Sequence, residues 1–293
     1  MQDISLLTPA SLSRRTLLVA PFVLSMALAG CASKPEPPVI RPLDAGLESS
    51  VAARLDPLLP ADVLLLGEQH DAAEHQKLGQ QVVALLAQRG LLAGLALEMA
   101  DAGNSTGTLQ SSATEQQVRN NLKWNDKGWP WAAYGPAVMT AVRAGVPVVG
   151  ANLPRAQMAA SMADVKLDGQ LPGPALKAQQ QAIRIGHCNL LPESQITPMT
   201  RIQIGKDISM AHTLGQMVLP GKVVVLLSGS GHADKNLGVP QHLKADIKAK
   251  AIRLRAGPGG DADKAEAFDA AWQTTALPET DYCAKFKAQM GGK

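Results

Sequence analysis

The sequence predicts an α/β fold, with a mostly parallel sheet flanked by helices and an additional helical excursion. Short continuous apolar runs, typical of strands covered on both faces, alternate with segments of helical periodicity. The chain of 293 residues is 46% hydrophobic, which excludes a disordered protein. Only 3% of its residues are aromatic, so we expect a mainly aliphatic core.

The predicted strands are five apolar runs bounded by Gly, Asn or Pro: 62–66, 94–97, 146–149, 222–227 and 251–254, the last being the weakest. Apolar residues recur at helical spacing over 78–86, and again over 204–218 before Pro220. Residues 155–200 show no strand pattern and contain several Gln and Pro, so they form the predicted helical excursion. Alternating strands and helices indicate a parallel sheet.

Residues 1–30 have the features of a secretory signal peptide. Arg14 and Arg15 precede an apolar stretch, 17–28, that is shorter than the roughly 20 residues of a membrane-spanning helix. The Leu-Ala-Gly before Cys31 resembles the bacterial lipobox, which implies that Cys31 is lipidated and becomes the mature N-terminus. The alternative is an ordinary signal peptide beside an uninvolved cysteine.

Residues 31–44 are rich in proline and show no apolar periodicity, so they are predicted to be an extended tether. The tether would hold a single domain, 45–293, off a membrane. Exported proteins form disulfides, and Cys188 and Cys283 are the two cysteines that remain. We predict a disulfide between them; two free thiols or a soft-metal pair are the alternatives.

The charges are scattered along the chain, with 28 Lys and Arg against 25 Asp and Glu. Proteins that bind nucleic acid usually carry a basic stripe or tail. Arg14 and Arg15 are the only adjacent basic residues, so nucleic acid is not an expected partner.

Polar side chains follow four predicted strands: Glu68 and His70 the first, Glu98 the second, Asn152 the third and His232 the fourth. Both histidines close a Gly-x-x-His motif, in which glycine lets the chain turn sharply as it leaves the sheet. Ligands of parallel sheets bind beyond the carboxyl ends of the strands, so we expect two imidazoles and two carboxylates to converge there. Such a set can ligate a metal, perform acid–base chemistry or hydrogen-bond an anion.

These residues also have plainer interpretations. His70 and His232 can cap helices or hydrogen-bond loop backbone, whereas Glu98, ending a buried strand, needs a partner. His75 has a poor helical alignment with His70 and is expected at the surface. Asp207 lies in an amphipathic helical pattern, where it either faces inward or is solvated.

Aromatic residues are concentrated in one segment punctuated by Pro and Gly, 124–134, which is predicted to be a loop: Trp124, Trp129, Trp131 and Tyr134. Such a cluster is either a satellite core or a stacking surface for a flat ligand. In a protein with so few rings elsewhere, the pattern favours the ligand surface.

Several motifs resemble those of the ChaN family, bacterial lipoproteins associated with haem binding and iron uptake within the Tiki and erythromycin-esterase-like superfamily. They are Gly67-Glu68-Gln69-His70, Leu97-Glu98-Met99, Trp131-Ala132-Ala133-Tyr134, Ala151-Asn152-Leu153-Pro154-Arg155, His187-Cys188 and Gly229-Ser230-Gly231-His232. The resemblance implies an α/β fold with paired Gly-x-x-His motifs. It also implies a lipid anchor in the cell envelope, at the outer membrane, and either an outer-membrane haem receptor or a homodimer as partner.

Two functions follow. The favoured one is haem binding rather than catalysis: Tyr134 is the predicted axial ligand, because phenolate suits ferric haem, and His70 or His232 is the rival. Trp129 and Trp131 would stack on the porphyrin, and a cation would meet its propionates: Arg155 or Lys127. The alternative is a metal-dependent hydrolase that uses a divalent ion on His70, His232 and Glu98, with Glu68 as a further catalytic group.

Overall fold

A computed structural model, which describes residues 45–258 and 265–291, shows six parallel strands in one sheet. The strands are β1 (Val63–Glu68), β2 (Leu92–Asp101), β3 (Val148–Asn152), β4 (Val223–Gly229), β5 (Ala249–Ala256) and β6 (Ala270–Thr274). Their order across the sheet is β3-β2-β4-β1-β5-β6, so β1 and β4 are central. The α/β prediction is confirmed.

Helices connect and cover the strands. Within the described ranges they are α1 (Ala45–Leu55), α2 (Ala73–Gln88), α3 (Glu115–Asn121), α4 (Trp131–Arg143), α5 (Met158–Ala163), α6 (Gly173–Gly186), α7 (Glu193–Met217), α8 (Ser230–Ala233) and α9 (Tyr282–Gly291). Both predicted helical patterns are present, as α2 and α7. The predicted excursion is confirmed too, since residues 155–200 contain α5, α6 and the first turns of α7, and no strand.

The sequence missed one strand, β6, for a physical reason. It lies at the edge of the sheet and pairs only with β5. Only Trp272 of its five residues is buried, so β6 has no continuous apolar run. Helix α1 was missed as well, because the sequence pattern assigned nothing to 45–55 beyond membership of the domain.

Each face of the sheet has its own apolar core, because side chains alternate along a strand. Leu64 and Leu66 of β1 pack with α2 and α4 on one face, whereas Val63 and Leu65 pack with α7 on the other. All four side chains are at most 1% exposed. The continuous apolar run of β1 therefore reflects burial on both faces, as the sequence predicted.

The aromatic segment is not wholly a loop. Helix α4 begins at Trp131, directly after Pro130, so Tyr134 projects from a helix and is 1% exposed. Proline favours the start of a helix because its missing N–H would have no partner there. The expectation of an irregular segment as far as 134 was wrong for its last four residues.

The predicted signal peptide, 1–30, the lipidation site Cys31 and the tether, 31–44, lie outside the described residues, and the division of the chain into these parts stays a prediction. No helix within 45–258 and 265–291 has the length and hydropathy needed to cross a membrane.

The two Gly-x-x-His motifs pack against each other through their glycines. A Cβ on Gly67 would lie 2.8 Å from Ser230 Cα and 2.9 Å from Ala233 Cβ. A Cβ on Gly229 would lie 2.9 Å from His70 Nε2. Neither glycine is among the residues with positive φ. Both glycines lie within strands, so the sharp turn expected at them is not found. Instead, Gly67 lets α8 pack on β1 and Gly229 lets the His70 ring approach β4.

Gly67→Ala should destabilise the protein by about 2 kcal/mol, because the added methyl has no room between β1 and α8. The matched control is Gly231→Ala, since a Cβ there meets no atom within 4 Å. Urea denaturation of both variants measures the difference. Equal free energies of unfolding for the two variants would contradict the packing argument.

Candidate functional site

The carboxyl edge of the sheet brings together the polar residues that follow the strands. Glu68 ends β1 and His70 lies just beyond it, Glu98 is in β2, and His232 lies in α8, directly after β4. Tyr134 reaches the same place from α4. The predicted convergence of two imidazoles and two carboxylates is found in the structure, and it continues into α7.

Glu68 is the junction of the first half of the site. Its Oε1 accepts a hydrogen bond of 2.6 Å from the Tyr134 hydroxyl and lies 2.9 Å from His70 Nδ1. The side chain of Glu68 is 2% exposed and that of His70 is 37% exposed. His70 therefore faces solvent, whereas the phenol lies behind it, hydrogen-bonded to a buried carboxylate.

Glu98 joins this half of the site to the second. Its Oε2 accepts a 2.7 Å hydrogen bond from the Gly229 amide and lies 3.6 Å from His70 Nε2. Its Oε1 lies 3.3 Å from His232 Nε2. This carboxylate, inside buried strand β2, thus has three partners, as its desolvation requires.

The second half of the site comes from helix α7, which the sequence left undecided. Asp207 is fully buried, and its Oδ1 lies 2.5 Å from His232 Nδ1. Gln203, one turn earlier, places its Nε2 3.1 Å from the same nitrogen. The inward alternative for Asp207 is correct, whereas no sequence signal singled out Gln203.

Asn152, at the end of β3, completes the edge of the sheet. Its side-chain nitrogen donates a 2.8 Å hydrogen bond to the backbone oxygen of Glu98. Its Oδ1 is buried without a hydrogen-bond partner in the described part of the chain. A buried acceptor of this kind is expected to receive a donor from water or a ligand.

The electrostatics of the first half favour a neutral phenol. Burial and the charge of Glu68 raise the pKa of Tyr134 well above its ordinary value. Burial alone would lower the pKa of His70, but its hydrogen bond to Glu68 and the charge of Glu98 raise it overall. Without a ligand, Tyr134 is therefore a hydrogen-bond donor rather than a phenolate.

The second half contains a buried cation between two acids. Burial opposes charge on His232, but Glu98 and Asp207 together raise its pKa to about 10. Burial likewise opposes charge on Glu98, but His232 and the Gly229 amide hold its pKa well below the usual range. Burial raises the pKa of Asp207 to about 6. His232 is thus an imidazolium at neutral pH.

The aromatic residues divide between two places. Trp129 contacts His70, with ring centroids 4.8 Å apart, and Tyr134, at 5.9 Å. Trp131 instead packs edge-on against Trp124 at 5.0 Å, and its Nε1 donates to Glu115. Among the tryptophans in the described part of the chain, Trp129 is therefore the one whose ring lies against His70.

A cavity of about 450 Å³ opens beside this edge and is lined by Glu98, Trp129 and Asn152. Three cations also line it: Lys123, Arg155 and Lys206. The side chains of the three make no salt bridge or hydrogen bond within the described ranges. Of the two cations that the sequence suggested, Arg155 therefore lines this cavity, whereas Lys127 is exposed and not among the lining residues.

The expectation for His75 was wrong. Its side chain is fully buried, where Nδ1 accepts a 2.9 Å hydrogen bond from the Gln69 amide and Nε2 lies 3.0 Å from Thr274 Oγ1. Burial lowers the pKa of His75. It connects the loop after β1 to β6, a strand that the sequence did not reveal.

The predicted disulfide is present, with Cys188 and Cys283 Cα atoms 5.5 Å apart. No group of three or more His, Cys, Asp or Glu within 45–258 and 265–291 has a geometry that could hold a metal ion. The divalent-metal alternative on His70, His232 and Glu98 therefore has no support, and the hydrolase that depends on it is not favoured.

Comparison with known proteins adds a family. A family model described as haem-binding uptake, Tiki superfamily, ChaN, matches residues 55–243. A solved structure described as cofacial haem binding to ChaN of Campylobacter jejuni is 26% identical with a TM-score of 0.63, and the match covers 74% of this chain and 89% of that one. An erythromycin esterase in its open conformation is 15% identical with a TM-score of 0.45, covering 73% and 74% of the two chains. No curated protein matches the chain.

The charged state of His232 predicts a pH dependence of stability. A pKa raised from 6.5 to about 10 on folding gives stability that is complete below pH 6.5 and is lost as the pH rises toward 10. Between pH 7 and 9.5 the loss should be roughly 3 kcal/mol. Asp207→Asn removes one of the two acids that keep His232 protonated. Between pH 7 and 9.5 the free energy of unfolding of this variant should therefore fall by less than half as much as that of the wild type.

Urea unfolding at both pH values measures these slopes. Asp168→Asn is the matched control, because Asp168 pairs with Arg201 away from any histidine and should keep the wild-type slope. If the free energy of unfolding of Asp207→Asn falls with pH as steeply as that of the wild type, then Asp207 does not hold His232 in its charged form.

Proposed function

This chain belongs to the ChaN family of the Tiki superfamily, whose members are described as haem-binding uptake proteins, and on that basis we propose that it binds haem at the carboxyl edge of the sheet. The matched residues, 55–243, include His70, Tyr134, Arg155 and His232. The observation that carries the proposal is the position of Trp129, which contacts His70 and Tyr134 and also lines the cavity that bears the three cations.

The residues at this edge fit the chemical needs of haem. A porphyrin needs an axial ligand, apolar or aromatic walls and cations near its propionates. Trp129 supplies a wall, and Arg155 lines the same cavity with Lys123 and Lys206. The buried Oδ1 of Asn152, which has no partner among residues 45–258 and 265–291, offers an acceptor to a ligand in that cavity.

The proposed axial ligand is Tyr134. Its phenol is held neutral, so ligation to iron requires the loss of its proton, and Glu68 Oε1, at 2.6 Å, is placed to accept that proton. His70 lies 3.5 Å from the phenol oxygen and pairs with the same carboxylate. The Glu68–His70 pair can therefore hold the displaced proton beside the ligand.

His70 is the alternative ligand, and its solvent exposure of 37% favours it. Ferric haem bound through a phenolate is high-spin with a charge-transfer band, whereas a nitrogen ligand changes that spectrum. His232 is a weaker candidate, because both of its nitrogens face carboxylates of Glu98 and Asp207. Bound haem would supply the iron cargo that an uptake protein carries.

Export and anchoring are part of the proposal. The lipobox-like sequence before Cys31 and the proline-rich tether support a lipid-anchored protein of the cell envelope, at the outer membrane. The Campylobacter jejuni relative is described as binding haem cofacially. We propose that this chain binds haem in the same cofacial mode. Its proposed protein partner is a second copy of the chain or an outer-membrane haem receptor.

Tyr134→Phe keeps the ring but removes the oxygen, so haem affinity should fall at least about tenfold. The charge-transfer band should disappear in the same variant. Titration with ferric haem, followed by absorption spectroscopy, measures both. Tyr282→Phe removes the other phenol of the chain and should keep the band, so it is a control for the spectrum alone.

A further pair of variants tests the cation. Arg155→Ala should weaken haem binding, whereas Lys127→Ala should not, because Lys127 does not line the cavity. If His70→Ala abolishes the haem spectrum while Tyr134→Phe leaves it unchanged, the histidine is the ligand. Absence of saturable binding in the wild type would overturn the proposed function.

Lipidation has its own test. A palmitate analogue supplied to cells should label the wild-type protein and leave Cys31→Ser unlabelled. Cys188→Ser is not suitable as a control, since Cys188 is in the disulfide, so Ser33→Ala serves as the neighbouring substitution that keeps the label. Equal labelling of the wild type and Cys31→Ser would refute the anchor.

A further inference from the structure

The C-terminal arm, residues 275–291, follows β6 and contains helix α9. It lies outside the residues 55–243 that match the family model. Its contacts nevertheless lead to the loop that carries His70 and to the helical excursion. The arm therefore connects two parts of the chain that both contribute to the proposed haem site.

The first set of contacts fixes the arm to the segment after β1. The backbone N–H and hydroxyl of Thr275 each donate a 2.9 Å hydrogen bond to the Glu74 carboxylate. The Tyr282 hydroxyl donates to the carboxylate of Asp71, the residue after His70. On its other side the loop is held by Gln69, whose side-chain oxygen accepts from the Ala256 amide. Tyr282 thus holds the loop at the point where it leaves His70.

The second set of contacts fixes the arm to the excursion. Cys283, the residue after Tyr282, is bonded to Cys188 in the turn between α6 and α7. Cys188 and Asn189 both have positive φ, of 58° and 57°, a backbone conformation uncommon outside glycine. The rings of His187 and Phe286 lie 5.6 Å apart beside the bridge.

The position of the bridge matters because of what the excursion carries. Its first residue, Arg155, lines the cavity. Helix α7 begins in the excursion and continues beyond it, where it supplies Gln203, Lys206 and Asp207. Tyr282 and Cys283 are adjacent in the chain. A single peptide unit therefore connects the residue that holds the His70 loop to the residue that is bonded to the excursion. The hydrogen bond and the disulfide therefore act in series.

We infer that the C-terminal arm positions the haem site: Tyr282 holds the loop of His70 through Asp71, and the Cys188–Cys283 bridge fastens Tyr282 to the excursion. This inference rests on the proposed haem-binding function. A dithiol that reduces the bridge breaks the S–S bond, gives each sulfur one hydrogen and is itself oxidised to a disulfide. The freed arm then holds the loop less firmly, and haem is released faster.

The experiment measures the rate at which ferric haem passes from the full-length protein to an excess of apomyoglobin. Tyr282→Phe and the double variant Cys188→Ser/Cys283→Ser should each release haem roughly threefold faster, because the loss of either link in series frees the loop. Reduction of the wild type with dithiothreitol should match the double variant. Tyr282 is 52% exposed, so its loss of one hydroxyl leaves the folded core intact.

Asp71 supplies the conservative rescue. Asp71→Asn keeps an oxygen that accepts from Tyr282 and should release haem at nearly the wild-type rate, whereas Asp71→Ala should behave like Tyr282→Phe. Adding Tyr282→Phe to the double cysteine variant should change the rate little, because the two act in series.

The possible results separate the two hypotheses. Haem binding by the wild type with unchanged release rates in Tyr282→Phe and the cysteine variant would overturn the role of the arm while leaving the proposed function standing. If Asp71→Asn releases haem as fast as Asp71→Ala, the role of the arm is also overturned, because the hydrogen bond from Tyr282 to residue 71 would then not affect haem release. No haem binding by the wild type would overturn the proposed function itself.

Discussion

The desolvation of Glu98 is the constraint on which the site depends. This carboxylate is 5% exposed at the carboxyl end of a buried strand, so it has to be neutralised and hydrogen-bonded by groups from other strands. The Gly229 amide and the two histidines meet that need. A side chain at 67 would collide with α8, and a side chain at 229 would collide with the His70 ring, so a glycine is found three residues before each histidine.

The same arrangement divides the site into two halves with different chemistry. The His232 half is fully buried, with the imidazolium fixed between Glu98 and Asp207, so it stabilises structure and charge rather than presenting a free donor. The half around His70 borders solvent and an aromatic ring, and its phenol has a proton acceptor in contact. A flat ligand with one metal donor suits the half around His70 better than a small divalent ion suits the two halves together.

Local patterns predicted the fold because they reflect burial. The apolar runs of β1 to β5 predicted a parallel sheet, and the residues that follow them were correctly expected to converge. Edge strand β6 was missed because it is half-exposed. The burial of His75 was missed for the same reason, since His75 lies against Thr274 of that strand. Gln203 could not be found from the sequence, since its role depends on the orientation of α7, which only tertiary packing determines.

The central claim is that iron is held at the edge formed by Glu68, His70 and Tyr134. Anomalous diffraction at the iron absorption edge, from crystals grown with ferric haem, locates the metal directly. The account predicts the iron bonded to the phenol oxygen of Tyr134, with the porphyrin against Trp129 and a propionate near Arg155. Iron bonded to a histidine away from this edge, such as the exposed His212, would contradict it.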